Sequence, residues 1–243
     1  MAAFSSPFDE TAVDFLEGLN VPCYKIASFE MTDLPLVRKV AATGKPMIIS
    51  TGMATLGEID ETVRAAKEAG AQDIVLLKCT STYPATPEHS NLLTIPNLRK
   101  ATGCQVGLSD HTMGIGAAVA AVALGATVIE KHFTLRRADG GVDSTFSMEP
   151  EEMAALVTET ERAWQALGKI SYGPTEKEAA SSVFKRSIYV VEDMMEGDVF
   201  TEHNLRTIRP GYGLPPKHYA TILGKKINKS VKKGTALSWD LIG

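Results

Sequence analysis

Residues 105–132 read QVGLSDHTMGIGAAVAAVALGATVIEKH. Two short apolar runs, Gln105-Val106-Gly107-Leu108 and Val128-Ile129-Glu130-Lys131, frame a helical segment from Ile115 to Leu124. Each run is too short for a helix and fits a buried parallel strand. Gly125, directly after the helical segment, is the expected left-handed stop. The stretch is one strand–helix–strand unit, with His111 and His132 at the ends of consecutive strands.

The same unit recurs toward the N-terminus. Tyr24-Lys25-Ile26-Ala27, Met47-Ile48-Ile49-Ser50 and Ile74-Val75-Leu76-Leu77 read as strands. Helical segments run from Leu34 to Thr43, before Gly44, and from Leu56 to Ala69, before Gly70. A final helix spans about Pro150 to Leu167, with Glu151 and Glu152 in its first turn favouring the helix dipole. Phe4-Ser5-Ser6 adds a truncated strand, which brings the expected count to six.

Strands alternating with helices imply βαβ units and a parallel sheet. Six strands fit a doubly wound sheet, whereas a closed (β/α)₈ barrel needs eight. Polar residues crowd the strand ends: Ser28 and Glu30, Ser50 and Thr51, Thr80 and Ser81, Ser109 to His111, and His132. Successive strands feeding one polar face favour a barrel mouth over a single crevice. Residues 1–172 therefore read as an incomplete (β/α)₈ TIM-type barrel of about six units.

The pattern breaks at Gly173-Pro174. A linker, 173–186, holds a short helix from Glu176 to Ser182. Residues 187–243 carry short strands and turns, among them Ser187-Ile-Tyr-Val-Val and Arg209-Pro-Gly-Tyr-Gly, and read as a small β-rich domain.

A chain with 44% hydrophobic and 22% charged residues is globular, not disordered. A formal net charge of −4 gives no electrostatic case for nucleic-acid binding. No apolar run approaches the roughly 20 residues needed to cross a bilayer. The opening MAAFSSPFDE has no basic or apolar signal region, so a soluble cytoplasmic location is expected. Cys23, Cys79 and Cys104 lack metal-like spacing and read as reduced core thiols.

Two imidazoles at adjacent strand ends suit a divalent metal or an acid/base pair. Glu130 should share a face with His132, because strand side chains alternate. Lys25, inside an apolar strand, needs an anion: either a phosphate or carboxylate ligand, or a glutamate of a neighbouring strand. Ser28, Ser50, Ser81 and Ser109 form a ring of small donors that could hold a phosphate. The long segment Arg136–Ser147, with Asp143, either contacts substrate or simply turns. Walker A, nucleophile-elbow and GxGxxG patterns are absent.

Five motifs occur in one order: Lys25-Ile-Ala-Ser28-Phe-Glu30, Ser50-Thr-Gly-Met, Cys79-Thr-Ser-Thr-Tyr83-Pro, Gly107-Leu-Ser-Asp-His111-Thr and Glu130-Lys-His132-Phe-Thr. Together they resemble the sialic acid synthase family, and the C-terminal part with Arg209-Pro-Gly resembles its antifreeze-like (SAF) domain. The resemblance implies condensation of phosphoenolpyruvate with an N-acetylated aldose to a nine-carbon 2-keto acid and phosphate. It implies a divalent metal, Mn or Mg, on His111 and His132. Lys25, Ser28, Ser50 and Ser109 would contact phosphoenolpyruvate, as would Ser81, where many relatives have Asn. Glu30, Tyr83 and Asp143 would contact the sugar. Lys25, Glu30 and Glu130 would carry the catalysis. Arg209 would come from the partner in a domain-swapped homodimer. The segment Asp139-Gly-Gly-Val-Asp143-Ser-Thr-Phe-Ser is most similar to pseudaminic acid synthases, which implies a 2,4-diacetamido-trideoxy sugar.

The resemblance also implies that two βα units of the barrel precede Met1. The chain is thus expected to be a fragment or a late-start gene model, weakly active or inactive alone. N-acetylneuraminate or legionaminic acid synthesis, another metal-dependent aldolase reaction, and a carbohydrate-binding module are the alternatives at this point.

Overall fold

In the computed structural model, which describes residues 1–243, five parallel strands lie side by side in chain order. They are β1 Tyr24–Ile26, β2 Met47–Ser50, β3 Ile74–Cys79, β4 Gln105–Asp110 and β5 Val128–Lys131. A doubly wound sheet reverses its strand order at a switch point; this one does not, as in a barrel. The sheet is also strongly curved. Five flat strands would hold β1 and β5 about 19 Å apart. Yet Lys25 Nζ on β1 lies 3.2 Å from a Glu130 carboxylate oxygen on β5. Only a sheet rolled toward closure brings these side chains together.

The expected sixth strand does not form. Phe4-Ser5-Ser6 is irregular, held to β1 by the single backbone bond from Lys25 N–H to Ser5 O. Phe4 and Ser5 are exposed and Pro7, which follows, lacks an N–H to donate. The sheet therefore has five strands.

Helices connect the strands: α1 Glu10–Gly18, α2 Leu34–Ala41, α3 Leu56–Glu68, α4 Thr94–Thr102 and α5 Gly116–Ala123, with α6 Pro150–Leu167 last. Asp9, Asp33 and Thr55 cap the first three through side-chain oxygens that accept N–H bonds. Helices α1 and α4 were not expected from the sequence. Alternate strand residues, such as Tyr24, Ile26, Met47, Ile49, Leu76 and Val106, bury against Leu36, Val40, Ile59 and Val63 of the helices. On α5, alanines let the helix lie close: Ala118 and Ala121 are fully buried, and Ala118 packs near Met148 and Leu156. No helix is long and apolar enough to cross a membrane.

The chain divides into two units, Met1–Lys169 and Ile170–Gly243. The second contains α7 Glu176–Ala179, an antiparallel pair of β6 Ser187–Val190 with β7 Leu205–Ile208, and α8 Tyr219–Ile222. Its own core includes Ile188, Val190, Phe200, Leu205, Ile222, Ile227 and Leu237. The expected helix from Glu176 to Ser182 is α7 followed by a 3₁₀ segment, Ala180–Phe184.

Arg209 follows β7 in a turn tied down by Ser187. The Ser187 hydroxyl is buried, donates to Pro210 O at 2.7 Å and accepts from Gly213 N–H at 2.9 Å. Ser187→Ala orphans both groups. The expected result is a loss of about 1–3 kcal/mol, read as a lower urea midpoint for this unit with an unchanged slope.

Candidate active site

Strand alternation divides each face of the sheet. In register, Cys79, Ser109 and Glu130 stand opposite one another, at the end of β3 and one step before the ends of β4 and β5. These residues and Lys25 face the concave side. Ser109 Oγ donates to Glu130 Oε1 at 2.6 Å, and Lys25 Nζ donates to the same oxygen at 3.2 Å. Of the two anions expected for Lys25, the structure supplies the glutamate, from the far edge of the sheet. The lysine side chain is only 11% exposed and the glutamate 37%, so the lysine charge is shielded and needs its partner.

The two histidines meet as expected, with ring centroids 5.2 Å apart. Tyr83 lies 4.4 Å from His111 and 5.9 Å from His132, and Phe146 lies 5.0 Å from His132. Asp143 Oδ2 stands 3.4 Å from His132 Nδ1, so the long segment after β5 does reach the site. That contact is an ion pair only if His132 is protonated. Burial and the nearby His111 charge hold its pKa below the ordinary histidine value, against the pull of Asp143 and Glu130. In the neutral ring, a proton on Nδ1 would face the carboxylate and leave Nε2 as the lone-pair nitrogen.

His111 is buried, with Nδ1 3.1 Å from Thr80 O. A carbonyl only accepts, so Nδ1 carries the proton here too. Burial pushes the His111 pKa down, but Cys79, the Thr80 carbonyl and Glu130 outweigh it and raise the net value. His111 thus holds Nδ1 on a carbonyl oxygen, and His132 turns Nδ1 toward the Asp143 carboxylate; an oxygen on one ring nitrogen is common among metal-bound histidines. No third His, Cys, Asp or Glu completes a ready-made three-ligand group. Two imidazole nitrogen donors fit a divalent cation whose other positions belong to water or substrate.

The serines distribute unevenly. Ser28 and Ser81 converge on Gly52, where a Cβ would fall 2.6 Å from Ser28 Oγ and 2.9 Å from Ser81 Oγ. Gly52 keeps this cradle open. Ser50 Oγ and Glu30 Oε2 are buried atoms with no hydrogen-bond partner within the chain, so a polar ligand group could satisfy them. Arg209 belongs to the second unit.

Three participants escaped the sequence reading. Cys79 is a free, buried thiol as expected, but it lines the site, with Sγ 3.8 Å from Ser81 Oγ. Burial pushes the thiol up, yet hydrogen bonding to His111 and Ser28, His111's charge and Ser81 bring it down to about 7. Its register opposite Ser109 was the available signal. Asp110 and Lys131, on the opposite face, are the other two. Their side chains are only 2% exposed, and buried charges are rare without a reason.

Residues 1–172 match the model of the NeuB family, and residues 185–243 match that of the SAF domain. The pseudaminic acid synthase of Campylobacter jejuni subsp. jejuni serotype O:2 is 45% identical over 96% of this chain and 68% of that protein. The N,N'-diacetyllegionaminic acid synthase of the same strain is 41% identical over 96% of this chain and 71% of that protein. Among solved structures, the N-acetylneuraminic acid synthetase of Leptospira borgpetersenii serovar Hardjo-bovis, in complex with citrate, superposes with a TM-score of 0.70 at 36% identity. That match covers 74% of this chain and 63% of the other. With the strand-end motifs gathered on one concave face and a family model running through residues 1–172, the chain belongs to the NeuB family and carries a SAF domain after it.

Proposed function

We propose that this chain belongs to a synthase that joins phosphoenolpyruvate to an N-acetylated amino sugar, giving a nine-carbon 2-keto acid of the pseudaminic type and phosphate. The observation that carries this reading is the Lys25–Glu130–Ser109 set beside two histidines whose ring centroids lie 5.2 Å apart. The higher identity to the pseudaminic synthase, 45% against 41%, supports the choice of sugar. The motif around Asp143 supports it as well.

In this reaction the methylene carbon of phosphoenolpyruvate attacks the open-chain aldehyde. Water adds at the enol carbon, and the C–O bond to phosphate breaks. Lys25, Ser28, Ser50, Ser81 and Ser109 hold phosphate and carboxylate oxygens. The lysine gives up part of its contact with Glu130 to do so. This frees the carboxylate to take the proton of the incoming water. The fixed donors stabilise charge without reorganising. Glu30, with its unpartnered carboxylate oxygen, accepts from a sugar hydroxyl, and Tyr83 and Asp143 flank the acceptor. His111 and His132 would hold a divalent cation, Mn or Mg, which when bound supplies Lewis acidity toward the aldehyde oxygen. The family resemblance assigns Arg209 to a second copy of the chain, where it would bind the sugar.

The test combines binding and turnover. Phosphoenolpyruvate at about 100 times its Kd should stabilise the first unit by about 2.7 kcal/mol in a thermal scan. Lys25→Met should abolish that gain. Phosphate release with Mn²⁺ should require a sugar, and 2,4-diacetamido-trideoxy hexoses should outrun N-acetylmannosamine. An unchanged melting curve with millimolar phosphoenolpyruvate would overturn the reading. Preference for N-acetylmannosamine would move the assignment to a neuraminate synthase.

A further inference from the structure

Each histidine follows one partner of a buried ion pair. Asp110 precedes His111, Lys131 precedes His132, and the two face each other in register across β4 and β5. Lys131 Nζ lies 3.0 Å from Asp110 Oδ2, and both side chains are 2% exposed. The lysine also donates to Thr112 O at 2.6 Å and Gly114 O at 3.2 Å. Asp110 Oδ1 accepts from Thr112 N–H at 2.9 Å and from the Thr112 hydroxyl at 2.8 Å.

All three ammonium hydrogens and both carboxylate oxygens therefore find partners inside the chain. Nothing is left for a substrate, and strand alternation points the pair away from Ser109 and Glu130. A buried pair of this kind is weak evidence for stability, because desolvation offsets the attraction. What it does fix is geometry. His111 sits between Asp110 and Thr112, whose N–H, hydroxyl and carbonyl are all tied to the pair. His132 is the next residue after the lysine.

We propose that Asp110 and Lys131 are positioning residues that set the spacing of His111 and His132 from the opposite face of the sheet. Their work is to keep the two imidazole rings at the spacing one cation needs. This extends the metal reading given above and rests on it, but the geometric effect can be measured without metal.

The test uses the whole chain in three variants. Lys131→Met breaks the pair. Asp110→Asn/Lys131→Met removes both charges at similar volume and restores most of the stability that the single change loses. Thr112→Val deletes one hydrogen bond to Asp110 and leaves the fold intact. Histidine ring resonances are followed by NMR, and Mn²⁺ affinity by titration.

In the double variant the signals of His111 and His132 should move, while those of His89, His203 and His218 stay. Mn²⁺ affinity should stay about 10- to 100-fold below the parent although stability has returned. Thr112→Val should give the same changes at smaller size. Parent-like affinity and unmoved ring signals in either variant would overturn the proposal. So would an affinity loss that merely tracks melting temperature across the series. If the parent chain binds no Mn²⁺, the metal reading falls, and the ring signals alone decide: shifts confined to His111 and His132 sustain the positioning role, and unmoved signals end it.

Discussion

Replacing either His111 or His132 with alanine is expected to abolish sugar-dependent phosphate release and Mn²⁺ binding alike. Lewis-acid stabilisation of a carbonyl is worth several kcal/mol. Each 1.36 kcal/mol is tenfold in rate, so the loss should reach at least about 10²–10³-fold. Affinity for the cation should fall by more than the roughly 10–100-fold that accompanies loss of a supporting contact. The two variants should separate on stability. His111 is buried, and removing its ring leaves the Thr80 carbonyl unpaired beside a void under Tyr83. A cost of about 1–3 kcal/mol follows. For a unit of this size each kcal/mol moves the melting point by about 2–4 °C. His132 has a side chain 31% exposed and a 3.4 Å contact to half-exposed Asp143, so its loss should shift the melting point far less. Equal loss of turnover with unequal loss of stability is the signature of two ligands of one cation. A full-activity His132→Ala chain would remove the metal from the mechanism.

Different links of the structure were legible to different degrees in the sequence. Strands β1 to β5 and helices α2, α3, α5 and α6 were readable because burial on both sheet faces leaves short apolar runs. Stop glycines mark the helix ends: Gly44, Gly70 and Gly125 adopt φ of +72°, +111° and +96°. Helix α4 was hidden because it lacks a side-chain cap and carries Pro96 in its first turn. The site motifs were legible as residue types at strand ends. Their partners were not, since curvature is a property of the whole sheet. Lys25 and Glu130 lie 105 positions apart, and only the rolled sheet selects the glutamate over the other possible anions. Cys79 passed for core because the run Ile74 to Leu77 on β3 is apolar. Asp110 and Lys131 sit on the outward row, and the strand-end motifs that name them do not show that they pair. That row holds two charged side chains only 2% exposed, and such charges call for a partner on the neighbouring strand.

Gly107→Ala is expected to be the most damaging single methyl that can be added to the β4–β5 pair. Gly107 lies in β4, paired with Leu77 on one side and Val128 on the other. A Cβ there would sit 2.6 Å from Leu77 Cδ2 and deep inside contact of the Val128 carbonyl. The leucine tip can rotate, but the Val128 backbone is held in β5 and cannot yield without opening the strand pair. Overpacking a rigid core costs about 1–3 kcal/mol, and occasionally more; a backbone clash between two paired strands belongs at the upper end. The displacement would travel along β5 to Glu130 and His132, so Mn²⁺ affinity should drop along with stability. Gly116→Ala is the internal control, because the first residue of α5 has open space around its Cβ and no positive φ. That change should stabilise the chain by about 0.4–1 kcal/mol through the unfolded state. Urea titrations of the two variants should therefore move in opposite directions from the parent. If Gly107→Ala matched the parent in midpoint and in Mn²⁺ affinity, β4 and β5 could not be packed as tightly as the structure places them.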